Sequence, residues 1–468
     1  MSPAMNWILI GVLVYVMIQM AIGLMVSRRI DSEEDYLLAG RSLGLGLATF
    51  SIFATWFGAE TCISAAGKFY ENGFSGGASD PFGYGICILF LGLVFAIPLW
   101  KRQLTTLIDL FRQRYSITVE RVSVLLIAPT SIIWAAAQVR AFGEVIHNVS
   151  NAGISVDMAI LVATAVAITY TVSGGLKADV LTDLFQGIII IVSLVIIFIV
   201  ILAQTPDLSA TINAIEPSRL NPFHGNGGFL DQLELWMIPI CGSVVAQELI
   251  GRVLATRSPE VARKSALLGG SIYILIGLIP ALLGLLAFQT MPGIANSEHV
   301  LPELARAHLP TLLFIVFMGA LVSAILSTVD STLLSASALI SHNLIVPLLP
   351  DDIEEDSKIL SARIMVVVSG LIAAWLAVSS DSVWGLVEQA SALGSTGVFV
   401  IMVMALFSKF GGPAAALTAM VTGLVVYIFF DWAELDHPFL TSMVAAFGGY
   451  FVVGIIEKNL HHRIAPAR

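Results

Sequence analysis

Long apolar runs separated by short polar segments set the pattern of this chain from one end to the other. The first, at 6–26, has the roughly 20-residue length with which a helix crosses a bilayer. It is too long for a signal-peptide core and no small-residue cleavage site follows it, so it reads as a retained span. Further runs at 44–67, 82–100, 121–147, 155–174, 180–203, 233–251, 264–288, 310–343, 361–379, 382–407, 412–430 and 438–456 predict about 13 transmembrane helices, with the termini on opposite sides. The longest connections, 204–232 and the acidic 342–360, are too short for a folded domain. The expectation is an all-α polytopic membrane protein whose single domain, 1–468, is its spans.

One run carries a second pattern. In 319–343, at 100° per residue, Ala324, Ser327, Thr328, Ser331 and Ser335 fall within roughly one third of the helix circumference. Neutral hydroxyls with free carbonyls suit a monovalent cation. The same small residues also let membrane helices pack closely, and this stretch alone does not separate the two readings.

Two other runs are interrupted. The second contains Gly58 in a polar cluster, Thr55, Trp56, Glu60 and Thr61, and the seventh contains Pro239, Gly242 and Ser243 followed by Gln247 and Glu248. Breaks five spans apart, at corresponding places in two halves, are the mark of an inverted-repeat transporter. Glu60, Arg140, Asp183 and Glu248 bring charge into apolar segments and must face a cavity or one another. One reading is structural, with Arg140 paired to Glu60 or Glu248. Asp183 shares a helix face with Gln186 and Gly187, where a carboxylate would complete a second cation site or gate its exit.

Composition agrees with a bilayer: 57% of the residues are hydrophobic and 12% charged, against about 25% charged in soluble domains. A net charge of −10 argues against nucleic acid as a partner. Cys62, Cys87 and Cys241 lie in apolar runs without CxxC spacing, which suggests neither a disulfide framework nor a metal site. Nearly all Lys and Arg fall in alternate loops, with only Lys68, Arg219 and Arg306 opposite and Arg140 within a span. The positive-inside rule then puts the N-terminus outside and the C-terminus in the cytoplasm of a plasma (inner) membrane.

Three stretches together resemble the sodium:solute symporters, a family with sugar, proline, pantothenate, sialic acid and choline carriers. They are DYLLAGRS at 35–42, YTVSGGL at 170–176 with Thr182, Asp183 and Gln186, and AILSTVDS at 324–331. The resemblance spans roughly 6–456. It implies a LeuT-like core of two inverted five-helix repeats, 44–203 and 233–407, with a leading helix at 6–26 and trailing helices over 412–456. It implies sodium as coupling ion, no other cofactor, and sodium ligands at Ala54 and Phe57 (carbonyls), Ala324 (carbonyl), Ser327 and Thr328. A second sodium would use Asp183 and Ser331. Substrate contacts would come from Thr55, Trp56, Glu60, Thr61, Tyr84, Trp134, Gln138, Arg140, Gln247 and Glu248.

The flavour is nearest the choline-carrying branch, yet Ala246 stands where that branch places a Trp. A cage for a quaternary ammonium would lose a wall, and Arg140 is a natural partner for a carboxylate. Arg140 and Glu60 are therefore expected to satisfy one another in the empty carrier and to select zwitterions or small acids. The expected function is symport of a small organic solute with inward sodium flow by alternating access. Proton coupling, and a solute sensor working with a separate kinase, stand as alternatives. The expected partners are sodium, a small organic solute and the lipid bilayer. A channel filter and hydrolase motifs such as HExxH or GxSxG do not stand out, so the chain is not expected to be an enzyme.

Overall fold

The computed structural model describes residues 30–464 apart from 151–152, 226, 351, 381 and 393, together with isolated positions between 10 and 25. The expected leading span at 6–26 lies largely outside the described residues. The described chain is helical, with strand-like pairing limited to one bridge between Leu43 and Thr256.

Nine of the described helices are long and apolar enough to cross a membrane, and a tenth span is broken by a 46° bend between Phe229–Gly242 and Gln247–Leu254. The two longest of the nine exceed one crossing and are interrupted. Val156–Gln204 has 49 residues, about 74 Å at 1.5 Å per residue, against a hydrocarbon core of about 30 Å. It turns at Gly175, whose φ of 52° is open to glycine at little cost. A β-carbon there would meet the ring and carbonyl of Tyr36 at 2.6 Å. Glu60–Trp100 is likewise interrupted, at Asp80.

Eight elements position the site. They are α1 (Leu45–Trp56) and α2 (Ala65–Asn72), either side of the first break, α3 (Ile117–Val149) and α4 (Val156–Gln204). After them come α5 (Phe229–Met237) and α6 (Gln247–Leu254), either side of the second break, α7 (Pro259–Thr290) and α8 (Thr311–Ile340). Helix α8 packs against α3, α4, α6 and α1 and is buried from Ala320 to Leu339. Helix α7 runs along α1 and α2 through Gly269, Gly277 and Gly284, where a side chain would strike Ile52, Pro81 and the Ala66 carbonyl respectively.

Two of the three motif stretches meet in the fold. Tyr36 donates its hydroxyl hydrogen to the Thr171 carbonyl at 3.0 Å, and Lys177 pairs with Asp35 just after the turn at Gly175. One end of the bundle is tied by a mixed network. Asn343 donates to Asp109 at 2.8 Å and to Glu120 at 3.0 Å, and His342 lies between Glu33 and Asp109. The imidazole beside Asp109 holds that carboxyl below its usual range, against the upward push of burial.

Candidate functional site

The helix stops at Trp56 because Phe57 takes ψ 68°. Chain resumes helically at Glu60 through a wider turn, leaving Gly58 between. A β-carbon on Gly58 would sit 2.6 Å from Gln138 Oε1, 2.7 Å from Thr328 Oγ1 and 2.9 Å from Glu60 Oε2, so the break is where α3, α8 and the start of the second half-helix converge. Gln138 bridges it. Its Oε1 accepts from the Ala59 N–H at 2.9 Å and its Nε2 donates to Glu60 Oε2 at 2.5 Å. The Trp134 indole N–H is directed at Glu60, while that of Trp56 makes no hydrogen bond.

On the side of the break toward α8, Ser327 Oγ lies 3.2 Å from the Ala54 carbonyl and 2.5 Å from Asp183 Oδ1. Ser51 donates to Asp183 Oδ2 at 2.6 Å. A freed carbonyl, hydroxyls and one carboxylate thus meet in a fully buried group, an oxygen set suited to a desolvated monovalent cation. Thr328 donates to the Ala324 carbonyl at 3.3 Å while its oxygen faces Gly58.

The pair proposed for a second sodium is divided. Asp183 turns to Ser51 and Ser327, whereas Ser331 donates to Asp179 Oδ2 at 3.1 Å and accepts from Arg252. Thr55 reaches Ser331 only at 3.5 Å. Sequence reasoning passed over Ser51, Asp179 and Arg252. Ser51 was detectable, standing three residues before Ala54 on the same helix face.

The other predicted contacts separate into two sets. Trp56, Tyr84 and Trp134 form a ring cluster with centroids 5.6 Å (Trp56–Tyr84), 5.6 Å (Trp56–Trp134) and 5.7 Å (Tyr84–Trp134) apart. Glu60 sits beside Trp134, and the Tyr84 hydroxyl pairs with Ser391 at 2.9 Å. Ser131, Trp134 and Gln138, spaced i, i+3 and i+7, line one face of α3, and Ser131 donates to Glu248 Oε2 at 3.1 Å.

Arg140 lies about 200° round α3 from Gln138 at 100° per residue. It does not meet Glu60. Its guanidinium donates to the Ala377 carbonyl at 3.1 Å and to Glu144 at 3.3 Å. The expected Arg140–Glu60 pairing is corrected by this geometry. Gln247 is also elsewhere, its Oε1 accepting from the Leu107 N–H at 2.9 Å. Thr61 donates to Asp80 at 2.8 Å in a group with Tyr273, and Ala246 lies in the second break as the cap of α6.

Interrupted helices at membrane depth persist only where protein or a cavity takes up the freed backbone, and paired interruptions of this kind define secondary solute carriers. The sodium:solute symporter profile matches residues 36–423, and the chain belongs to that family. It is 25% identical to the human high affinity choline transporter 1 over 447 residues, covering 90% of this chain and 76% of that one. It is 24% identical to a sodium/pantothenate symporter of Haemophilus influenzae over 454 residues, covering 93% and 88%.

A sodium-coupled sialic acid symporter in a substrate-bound outward-open state superposes with TM-score 0.83 at 19% identity, covering 98% of each chain. A nucleobase-cation-symport-1 family transporter in a closed conformation superposes with TM-score 0.63 at 14% identity, covering 92% and 95%. The fold is that of the LeuT-type transporters. The chain is a multi-pass membrane transporter, its activity is sodium-coupled solute symport, and sodium is the coupling ion.

Proposed function

We propose that this symporter carries a small organic cation, of amine or quaternary ammonium type, inward with sodium. The observation that carries the reading is the Trp56, Tyr84 and Trp134 cluster beside a fully buried carboxylate, Glu60. Aromatic faces attract a desolvated cation by up to about 2 kcal/mol, and a carboxylate adds opposite charge. Relatives named as choline transporters agree with it. Arg140, the residue that favoured a carboxylate solute, faces the opposite side of α3.

Sodium would sit among the Ala54 carbonyl, Ser327 and Asp183, with Ser51, Thr328 and the carbonyls of Phe57 and Ala324 around it. Two inverted repeats, 44–203 and 233–407, would alternate access to the site from the two sides of a plasma membrane. The N-terminus would lie outside and the C-terminus in the cytoplasm.

The test is uptake into proteoliposomes of radiolabelled choline, betaine, amino acids, monocarboxylates and sugars under a sodium gradient. Choline or another organic cation should be taken up, and Glu60→Gln should reduce that uptake by at least about tenfold, the worth of one lost charge-assisted contact. Sodium-driven uptake of a monocarboxylate that Arg140→Gln abolishes would overturn this reading in favour of an anionic solute.

A further inference from the structure

We propose that the Arg252 guanidinium takes the place of a second coupling cation, so that the carrier binds one sodium ion per chain. The inference rests on the sodium-symport reading. Arg252 projects from α6, just past the second break, and is 1% exposed. It pairs with Asp179 of α4 and donates to Ser331 of α8. An arginine cannot shed its charge to suit a dry site, so it holds that position as a permanent cation.

Its placement closes the second site to an ion. Ser331 has one hydrogen and two lone pairs, and it gives the hydrogen to Asp179 while accepting from Arg252. A sodium ion on its remaining lone pair would lie against a like charge. Asp183, the other carboxylate that such an ion would need, has each oxygen held by a different hydroxyl, Ser51 and Ser327.

Asp179, Asp183 and Asp330 lie within electrostatic reach of one another and of Arg252. Arg252 neutralises Asp179. Thr171 Oγ1 is 2.8 Å from the Ala167 carbonyl and 2.9 Å from Asp330 Oδ1, and its single hydrogen serves one of them. Asp183 has hydroxyls beside it and no cation bonded to it, and one monovalent ion would balance its charge.

The experiment is equilibrium binding of radioactive sodium to the purified full-length carrier in detergent, counted per chain. Wild type should bind one. Arg252→Gln should bind two, because Asp179 and Ser331 then lose their internal cation. Two ions in wild type, or one in a folded Arg252→Gln, would overturn the proposal.

Ser331→Ala guards against an Arg252 variant that fails to fold. If Ser331 serves the guanidinium, sodium half-saturation in Ser331→Ala stays within about twofold of wild type, less than the value of one ion ligand. A Ser331→Ala shift as large as that of Ser327→Ala would mean that sodium uses both hydroxyls, and the proposal falls. Wild type that binds no sodium would fail the symport reading itself, a distinct result.

Discussion

Asp179 and Asp183 stand one helical turn apart on α4, both buried, and their neighbours differ in kind. Asp183 meets hydroxyls and, through Ser327, a freed carbonyl, all neutral groups. Asp179 meets a guanidinium. An isolated carboxylate is too costly to bury without a counter-charge. The first has no cation bonded to it and is where the proposed sodium would supply one, and the second has a guanidinium attached to it. The same residue type, four positions apart, is a proposed ion ligand in one place and an ion-paired anchor in the other, according to which helix end reaches it. The first break supplies carbonyls and the second supplies α6 with its arginine.

The largest effect that would break this comparison is expected at Asp183. Asp183→Asn keeps the shape and removes the charge, and losing two charge-assisted contacts of about 1.5–3 kcal/mol each weakens sodium by on the order of 100-fold or more. Sodium half-saturation of uptake reads it, with membrane expression as the check on folding. Near-normal sodium dependence in a well-expressed variant would remove the contrast with Asp179.

Ser327→Ala should come next, raising the sodium concentration for half-maximal transport by about tenfold, since one ligand is lost from a dry site. Thr328→Ala should follow at roughly threefold, because its oxygen faces Gly58 and not the group of Ala54, Ser327 and Asp183. A reversed order would shift the ion toward Gly58. Gly58→Ala sharpens the picture differently. Its new methyl must displace Gln138, Thr328 and Glu60 together, so solute uptake and sodium affinity should both fall, by a few-fold or more for about 1–3 kcal/mol of overpacking. An effect on only one of them would show that the two sites are not joined at the break.

The smallest effect is expected at Arg140. Arg140→Gln loses a contact with Glu144 at the partly exposed end of α3, worth about 1 kcal/mol or less, so uptake should change by less than about fivefold. A loss as large as that of Glu60→Gln would place Arg140 in the solute path after all.

What the sequence disclosed and what it withheld follow one physical division. The interruptions at Gly58 and at Gly242–Ser243, and the shared face of Ser327 and Thr328, are local matters of helix period and glycine, and they are legible in a single strand of text. Arg140 was equally legible: counting 100° per residue from Trp134 and Gln138 turns it away from Glu60, and its charge drew more attention than its angle. The Arg252–Asp179 pair joins residues 73 positions apart on different helices, and no period reports that. Asp80 was missed for another reason. It precedes the run at 82–100 and reads as loop, while the fold buries it against Thr61 and Tyr273.

The glycines of α7 have a mechanical meaning. Gly284 brings that helix almost onto the Ala66 backbone of α2, and Gly269 and Gly277 let it close on the side chains of Ile52 and Pro81. Interfaces of large side chains lock like gear teeth, because each knob must climb out of its hole before the helices slide. Where one surface carries only glycine, the teeth are missing on that side. Such a seam sets how closely the two surfaces run and leaves their travel along one another cheap, as a bearing does, which is the property a shearing motion of packed helices requires. Adding a methyl at Gly284, against the Ala66 carbonyl, would roughen that bearing. It should slow turnover more than it weakens sodium, whose proposed ligands lie on other helices.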